Sequence, residues 1–431
     1  MNSTTPRLPN TAPEWLRDGY QHIWMPYTQM QTVPPPVPVT RTEGVRLTLA
    51  DGRELIDGTA SWWTACHGYN HPHIVAAMQR QVTEMPHVMF GGLAHEPAFK
   101  LASRLAALTP GDLDRVFFAE GGSVAVEVAM KMALQYFINR GQDGRGKFVS
   151  FYGGYHGDTF AAMSVCDPAD GMHILFKDAM PENFVTVLPE TAEQQEAFNL
   201  FMDENAHHVA AVIVEPLVQG AGGMKFHDAS VLRCLREACD RTGGLLIFDE
   251  IFTGFGRTGA LFAADAAGVV PDVMCVGKAL TGGTTPLSAA IAREHVFEAF
   301  LSDDPQAALM HGPTFMANPL ACAAANAALD LFEHEPWREN VARIEAQMRR
   351  ELEPCRTLPG VLDVRVMGAI AAIQLADASD KEALKARFMD EGVWLRPFGD
   401  IVYLTPPFII GEADLRRLTG AIVGVLSARG L

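Results

Sequence analysis

Asp272-Val-Met-Cys-Val-Gly-Lys278-Ala-Leu280 sets a lysine directly behind a short apolar run that reads as a buried strand. Ammonium groups are rarely fully buried, and burial pushes a lysine towards its neutral, nucleophilic form. A Schiff-base lysine needs that form. The plainer reading is that Lys278 closes the strand and its ammonium reaches water along an apolar stem. The lysine alone leaves both readings open.

Gly244-Leu-Leu-Ile-Phe-Asp249-Glu250 is a second apolar run, and its Asp249 lies 29 residues before Lys278. Two parallel strands here would end side by side, and ligands of open α/β sheets bind beyond the carboxyl ends of strands. Asp249 and Lys278 would then face one small molecule. Pyridoxal phosphate requires that pair, since its aldehyde condenses with a lysine amine and its ring nitrogen needs an acidic partner.

Phosphate calls for a third element. Arg115-Val-Phe-Phe-Ala-Glu120-Gly121-Gly122-Ser123 reads as a strand, a glycine turn and a helix beginning at Ser123, with helix formers from 124 to 136 and Glu127 and Lys131 at i,i+4. Free amides and a hydroxyl at that start suit an anion; an ordinary serine cap reads the same way. Gly153-Gly-Tyr155-His156-Gly157-Asp158 follows the strand-like 147–151 and sets an aromatic ring among glycines, where backbone can approach a planar ligand. His156 reads either as a local hydrogen-bonding group or as a catalyst.

Together these motifs resemble the class III aminotransferases, pyridoxal-phosphate enzymes of fold type I. Ser61-Trp62-Trp63, His67-Gly-Tyr-Asn-His71-Pro72, Cys166-Asp167-Pro168 and His311-Gly312-Pro313-Thr314-Phe315-Met316 are similar to one branch of that class, which moves an amino group from S-adenosylmethionine to 8-amino-7-oxononanoate in biotin synthesis. The likeness runs from about residue 20 to Arg396-Pro-Phe-Gly399 and Tyr403.

The resemblance implies a large domain with a mostly parallel α/β sheet covered by helices, and a smaller α+β domain. It implies that Lys278 carries pyridoxal 5'-phosphate and moves the proton, that Asp249 holds the ring nitrogen, and that Gly122 and Ser123 bind the phosphate. Pro313 and Thr314 would complete that site from a neighbouring subunit, making the active unit a homodimer. Trp62 and Tyr155 would wall the reacting end, Tyr27 would close the pocket, Gly312 would lend backbone, and Arg396 would clamp the far carboxylate of the acceptor. Trp63 reads as core packing. Another ω-aminotransferase, using lysine, an ω-amino acid or a diamine as donor, stays open as an alternative.

The chain departs from the family pattern after the acid Glu120, at Gly121 where a serine is expected, at Phe252 in place of a small residue, and at Ala94 in place of threonine. Phe252 and Ala94 are expected to lie clear of the chemistry.

Gly254-Phe-Gly256-Arg-Thr-Gly259 matches a dinucleotide fingerprint by letter only, because it sits mid-chain, the stretch 260–265 after it is short and Asp272 lies too near. With 431 residues, 48% of them hydrophobic, the chain can bury a large core in two domains. We expect 1–71 to join the small domain, 72–330 to form the cofactor-binding domain and 331–431 the rest. A net charge of −17 argues against nucleic acid or an anionic membrane as partner. Seven cysteines without a C-x-x-C pair suit reduced thiols in the cytoplasm. His71, His73, His207 and His208 lack the partners of a metal site and read as solvated or capping.

The amino terminus has no apolar core of a signal peptide. Residues 1–20 are expected to be poorly ordered and Val33-Pro-Pro-Pro-Val-Pro38 an extended connector. A hairpin is expected over 45–56, strands at 115–119, 147–151, 209–214, 245–249 and 272–276, and, in the last hundred residues, helices near 336–353 and 380–391 and from 412, with a strand near 361–366.

Overall fold

In a computed structural model, which describes residues 8, 11–169 and 173–430, the strands Leu245–Asp249 and Val273–Val276 run parallel and adjacent, with Asp249 opposite Cys275. Every residue of both is buried. They form the middle of a seven-stranded sheet in the order 113–119, 288–293, 273–276, 245–249, 209–214, 147–151, 184–186. The strand Ser288–Arg293 pairs antiparallel with both neighbours, and the remaining pairings are parallel.

The sheet is covered on both faces because its strands are apolar at successive positions. Val212 and Val214 pack in the same cluster as Leu232 and Leu235 of the helix Ala229–Thr242. Ala211 and Ile213 join the opposite cluster with Val126 and Met130 of Gly122–Asn139. Each fully buried Val, Leu or Ile contributes about 1.5–3 kcal/mol. That core fixes where the strand ends lie, and the site depends on those ends.

The expected hairpin is present, with Arg46 opposite Ile56 and Thr48 opposite Glu54. Its second strand, Glu54–Asp57, also pairs in parallel with Val393–Trp394 from the far end of the chain. The strands Val361–Met367, Ile370–Leu375 and Ile401–Leu404 form a second sheet. The helices Trp337–Leu352, Lys381–Asp390 and Glu412–Ser427 stand where the sequence places them. The boundary drawn at residue 330 falls inside the helix Pro319–His334.

One expectation about the amino terminus is corrected. Residues 14–20 form the helix Glu14–Tyr20, with Leu16 and Tyr20 buried; the rest of that expectation, at 1–7, 9 and 10, lies outside the described residues. The Gly254–Gly259 loop leads into a helix of only five residues, Ala263–Ala267, too short for a dinucleotide site. Its Arg257 is buried, donates to the carbonyls of Ala369 and Pro406, and lies 4.7 Å over the Phe408 ring. The loop clips one sheet to the other.

Gly222 marks the tightest backbone crossing near the site, since a Cβ there would stand 1.6 Å from the Gly153 carbonyl oxygen. Gly222→Ala is expected to displace the 153–157 loop and cost about 1–3 kcal/mol. Thermal unfolding of the variant checks this; an unchanged melting temperature would show that the two loops are free to separate.

Candidate active site

The strand Val273–Val276 delivers Lys278 at a sharp corner, with φ at 47°. A left-handed conformation in a side chain of this size costs about 1–2 kcal/mol, and such strain persists only where the surroundings enforce it. Here the surroundings are aromatic, with Nζ 4.1 Å from the Trp63 ring centroid and 5.7 Å from that of Phe252. Among the described residues no hydrogen bond or ion pair reaches Nζ. Burial pushes Lys278 down to about 8, against the opposing pull of the Asp249 and Glu215 charges. The residue keeps some exposure because it opens on cavities.

Asp249, at the end of the neighbouring strand, does not neutralise the lysine through a direct ion pair. Its Oδ2 lies 2.8 Å from Nδ1 of the buried His156, and its Oδ1 accepts from the Ile251 amide at 3.2 Å. The carboxylate is held from two directions and presented rather than consumed.

A third strand, Val209–Val214, ends in Glu215, fully enclosed. Its two oxygens accept the amides of Tyr155 at 3.0 Å and Gly220 at 2.9 Å. Burial first, and the Asp249 charge after it, push Glu215 up to about 7.

The helix Gly122–Asn139 starts one residue before the expected Ser123, with Gly121 as its cap. Ser123 is not a capping serine: its Oγ accepts the Asp158 amide at 3.0 Å. Gly157 passes so close that a Cβ would lie 2.2 Å from that oxygen, and its φ of 124° suits glycine alone. The first amides of a helix have no intrahelical acceptor, so this end remains an anion site.

Two cavities meet at Lys278. The smaller, of about 160 Å³, is lined by Gly122, Ser123, His156, Glu215, Asp249 and Phe252. The larger, of about 350 Å³, is lined by Pro26, Tyr27, Trp62, Arg396, Phe398 and Tyr403. Trp63, Tyr155, Ala221 and Lys278 belong to both.

At the mouth, Tyr27 and Tyr155 donate to the two oxygens of Asp158 at 2.5 and 2.9 Å. Burial, then Asp158, pushes Tyr27 up to about 12; burial, then the neighbouring Tyr27 oxygen acting as acceptor, raises Tyr155 further. Both phenols therefore stay protonated. The Arg396 guanidinium stands 5.2 Å over the Trp62 ring, whose edge meets Tyr27.

The chain thus brings together Tyr27, Trp62, Gly122, Ser123, Tyr155, Asp249, Lys278 and Arg396. It does not bring Gly312, Pro313 and Thr314 to them: none lines either cavity, and Gly312, Thr314 and Phe315 are exposed. One expectation is overturned: Phe252 does not lie clear of the chemistry, since its ring stands 5.7 Å from the Lys278 amine. Trp63 packs against the core as expected and in addition lies against that amine. Glu215, Asp158 and the partner of His156 went unrecognised, although Glu215 ends its apolar strand as Asp249 does.

This donor set fits pyridoxal phosphate: a low-pKa amine, a buried carboxylate held by histidine, and a helix start with free amides, around one cavity. His71 accepts from the His73 amide as a helix cap, and His73 pairs with Asp330 at 2.7 Å. All seven cysteines are buried and unpaired. Among the described residues no helix is long and apolar enough to cross a membrane.

The family model for aminotransferase class III matches residues 27–426. The adenosylmethionine-8-amino-7-oxononanoate aminotransferase of Corynebacterium glutamicum is 47% identical over 94% of this chain and 96% of its own length. That of Mycobacterium leprae is also 47% identical, over 95% and 96%. The crystal structure of the same-named protein from Methanocaldococcus jannaschii superposes with a TM-score of 0.90 at 31% identity, covering 96% of this chain and 98% of that one. A PLP-bound amine transaminase from an uncultivated Pseudomonas species gives 0.87 at 31%, over 95% and 99%.

In cofactor-free protein, labelling of Lys278 by a neutral acylating reagent is expected to rise with pH around a midpoint of about 8, because only the neutral amine reacts. Peptide mass spectrometry reads the site. A midpoint near the ordinary lysine value would mean that the aromatic wall does not exclude water.

Proposed function

The chain belongs to the class III aminotransferases, and we propose that it transfers the amino group of S-adenosylmethionine to 8-amino-7-oxononanoate, giving 7,8-diaminononanoate on the route to biotin. The observation that carries this reading is the lining of the larger cavity. It is apolar along its walls, with an amine at Lys278 and a guanidinium at Arg396 among its lining groups. An aliphatic chain with a reactive carbonyl and a terminal carboxylate matches that arrangement.

Pyridoxal phosphate, when bound, supplies an electron sink that lets a C–H bond beside the amino group break. The protein's part is to orient and to move protons. Lys278, whose amine is lowered to about 8 and so has a substantial neutral fraction near that pH, takes and returns the proton, a role that typically contributes about 10² to 10⁴ in rate. Asp249, fixed by His156, keeps a ring nitrogen protonated. The amides from Gly122 onward and the Ser123 hydroxyl hold the phosphate. Tyr155 shields the ring, with its backbone pinned by Glu215.

Arg396 takes the far carboxylate of the acceptor in a bidentate grip that lysine cannot reproduce. Stacking on Trp62 keeps its planar face fixed. A cytoplasmic homodimer completes the proposal, with Gly312, Pro313 and Thr314 reaching the second subunit's site. Its support is the exposed apolar side chains flanking that string, Met310 and Phe315, with the Phe315 ring 4.6 Å from that of His87.

The test is the visible spectrum of cofactor-loaded protein. S-adenosylmethionine without acceptor is expected to bleach the band, and 8-amino-7-oxononanoate to restore it. A band that ignores S-adenosylmethionine and bleaches with lysine or a diamine would assign another donor.

Arg396→Lys is expected to lose about 1.5–3 kcal/mol of acceptor binding, seen as a raised acceptor KM with the donor half-reaction unchanged. Unaltered acceptor kinetics would remove Arg396 from the site.

A further inference from the structure

Ala60, Ser61, Trp62 and Trp63 have φ of 47°, 47°, 54° and 73°, four successive non-glycine residues in the left-handed region. Such residues visit that region singly, not in runs, so something must hold the turn. Asp57 holds it. The carboxylate is completely buried, and four donors converge on it: the Thr59 amide at 2.7 Å, the Thr59 hydroxyl at 2.8 Å, the Ser61 amide at 3.0 Å and the Tyr69 hydroxyl at 2.6 Å. Ser61 Oγ closes the ring of contacts, 2.6 Å from the Tyr69 oxygen.

The turn is tied at both sides to strands that carry pocket residues. Asp57 is registered against Trp394, two residues before Arg396, and the Gly58 amide donates to the Trp394 carbonyl at 3.0 Å. On the other side the Thr405 amide and hydroxyl donate to the carbonyls of Gly58 and Thr59 at 2.8 and 3.2 Å, two residues beyond Tyr403. What the turn presents are two adjacent indoles with different duties: Trp62 beneath the Arg396 guanidinium at 5.2 Å, and Trp63 against the Lys278 amine at 4.1 Å.

We propose that Asp57, with Tyr69, is a positioning residue for the reaction: through the strained turn it sets Trp62 against Arg396 and Trp63 against Lys278, so one buried carboxylate aligns both ends of the substrate pocket. The Arg396 half of this inference rests on the function proposed above; the Lys278 half does not. Ionised aspartate suits the position because it only accepts. Asparagine is nearly the same size but must turn an N–H towards either the Thr59 donors or the Ser61 amide, leaving one of them unpaired. The strained turn then has a relaxed alternative.

The experiment compares Asp57→Asn, Tyr69→Phe and the double variant Asp57→Asn/Ser61→Gly with the parent protein. One readout is the midpoint of Lys278 labelling in cofactor-free protein, where the charged groups acting on the amine, Asp249, Glu215 and Arg257, are unchanged. Movement of Trp63 admits water, so the midpoint should rise from about 8 towards the ordinary 10.5. The other readout is acceptor KM, expected to rise about ten- to a hundredfold for groups so displaced, with a smaller effect from Tyr69→Phe. Glycine at 61 adopts the left-handed conformation without steric strain, so the double variant should recover most of both.

A shifted midpoint with an unmoved acceptor KM supports the positioning of Lys278 and counts against the acceptor assignment alone. A lowered melting temperature with an unmoved midpoint in the variants overturns the proposal and leaves Asp57 a purely structural residue. Should Asp57→Asn fail to fold, Tyr69→Phe decides by the same midpoint, because it removes one donor and no charge.

Discussion

An amine enclosed by aromatic rings and denied a counter-ion is the constraint on which the rest of this structure turns. Desolvation disfavours the charged form of Lys278, and the nearest acid of the right kind, Asp249, is already engaged by His156 and a backbone amide. Had that carboxylate closed directly on the lysine, the ammonium form would be favoured and the nucleophile lost. The geometry separates the two tasks, with one strand presenting a carboxylate and its neighbour presenting a neutral amine.

That separation needs a rigid frame, because strain is stored close by. Lys278, Tyr27 and the four residues 60–63 all sit at positive φ, each at a cost that packing must offset. The central strands supply the offset: they are buried at every position, and a one-residue slip would swap every side chain between the two packed faces. The buried Arg257 then ties the loop after Asp249 to the second sheet, which contributes Tyr403 to the pocket wall. Site and fold are thus coupled through a few crossing points, of which Gly222 against Gly153 is the tightest.

The parallel core was legible in the sequence because its strands are largely apolar runs, three of which lead into Glu215, Asp249 or Lys278; 147–151, 209–214 and 245–249 match residue for residue. Ser288–Arg293 was not, since Ser-Ala-Ala-Ile-Ala lacks the bulky branched residues that mark a strand. Asp249 and Lys278 announced themselves as ionisable groups at the ends of apolar runs. Trp63 and Phe252 did not, because their meeting at Lys278 Nζ joins positions 63, 252 and 278, a contact that no local pattern encodes. The left-handed run at 60–63 was equally hidden: Ala, Ser and Trp carry no signal for it, and its cause is a buried carboxylate three residues upstream. Gly312, Pro313 and Thr314 entered through resemblance alone, and in the single chain they stand apart from both cavities.

The most direct measurement of the central claim is borohydride reduction of cofactor-loaded protein followed by peptide mass mapping. One pyridoxyl adduct is expected, on the peptide carrying Lys278. Adducts spread over exposed lysines such as Lys100 and Lys225, or a single adduct elsewhere, would contradict it.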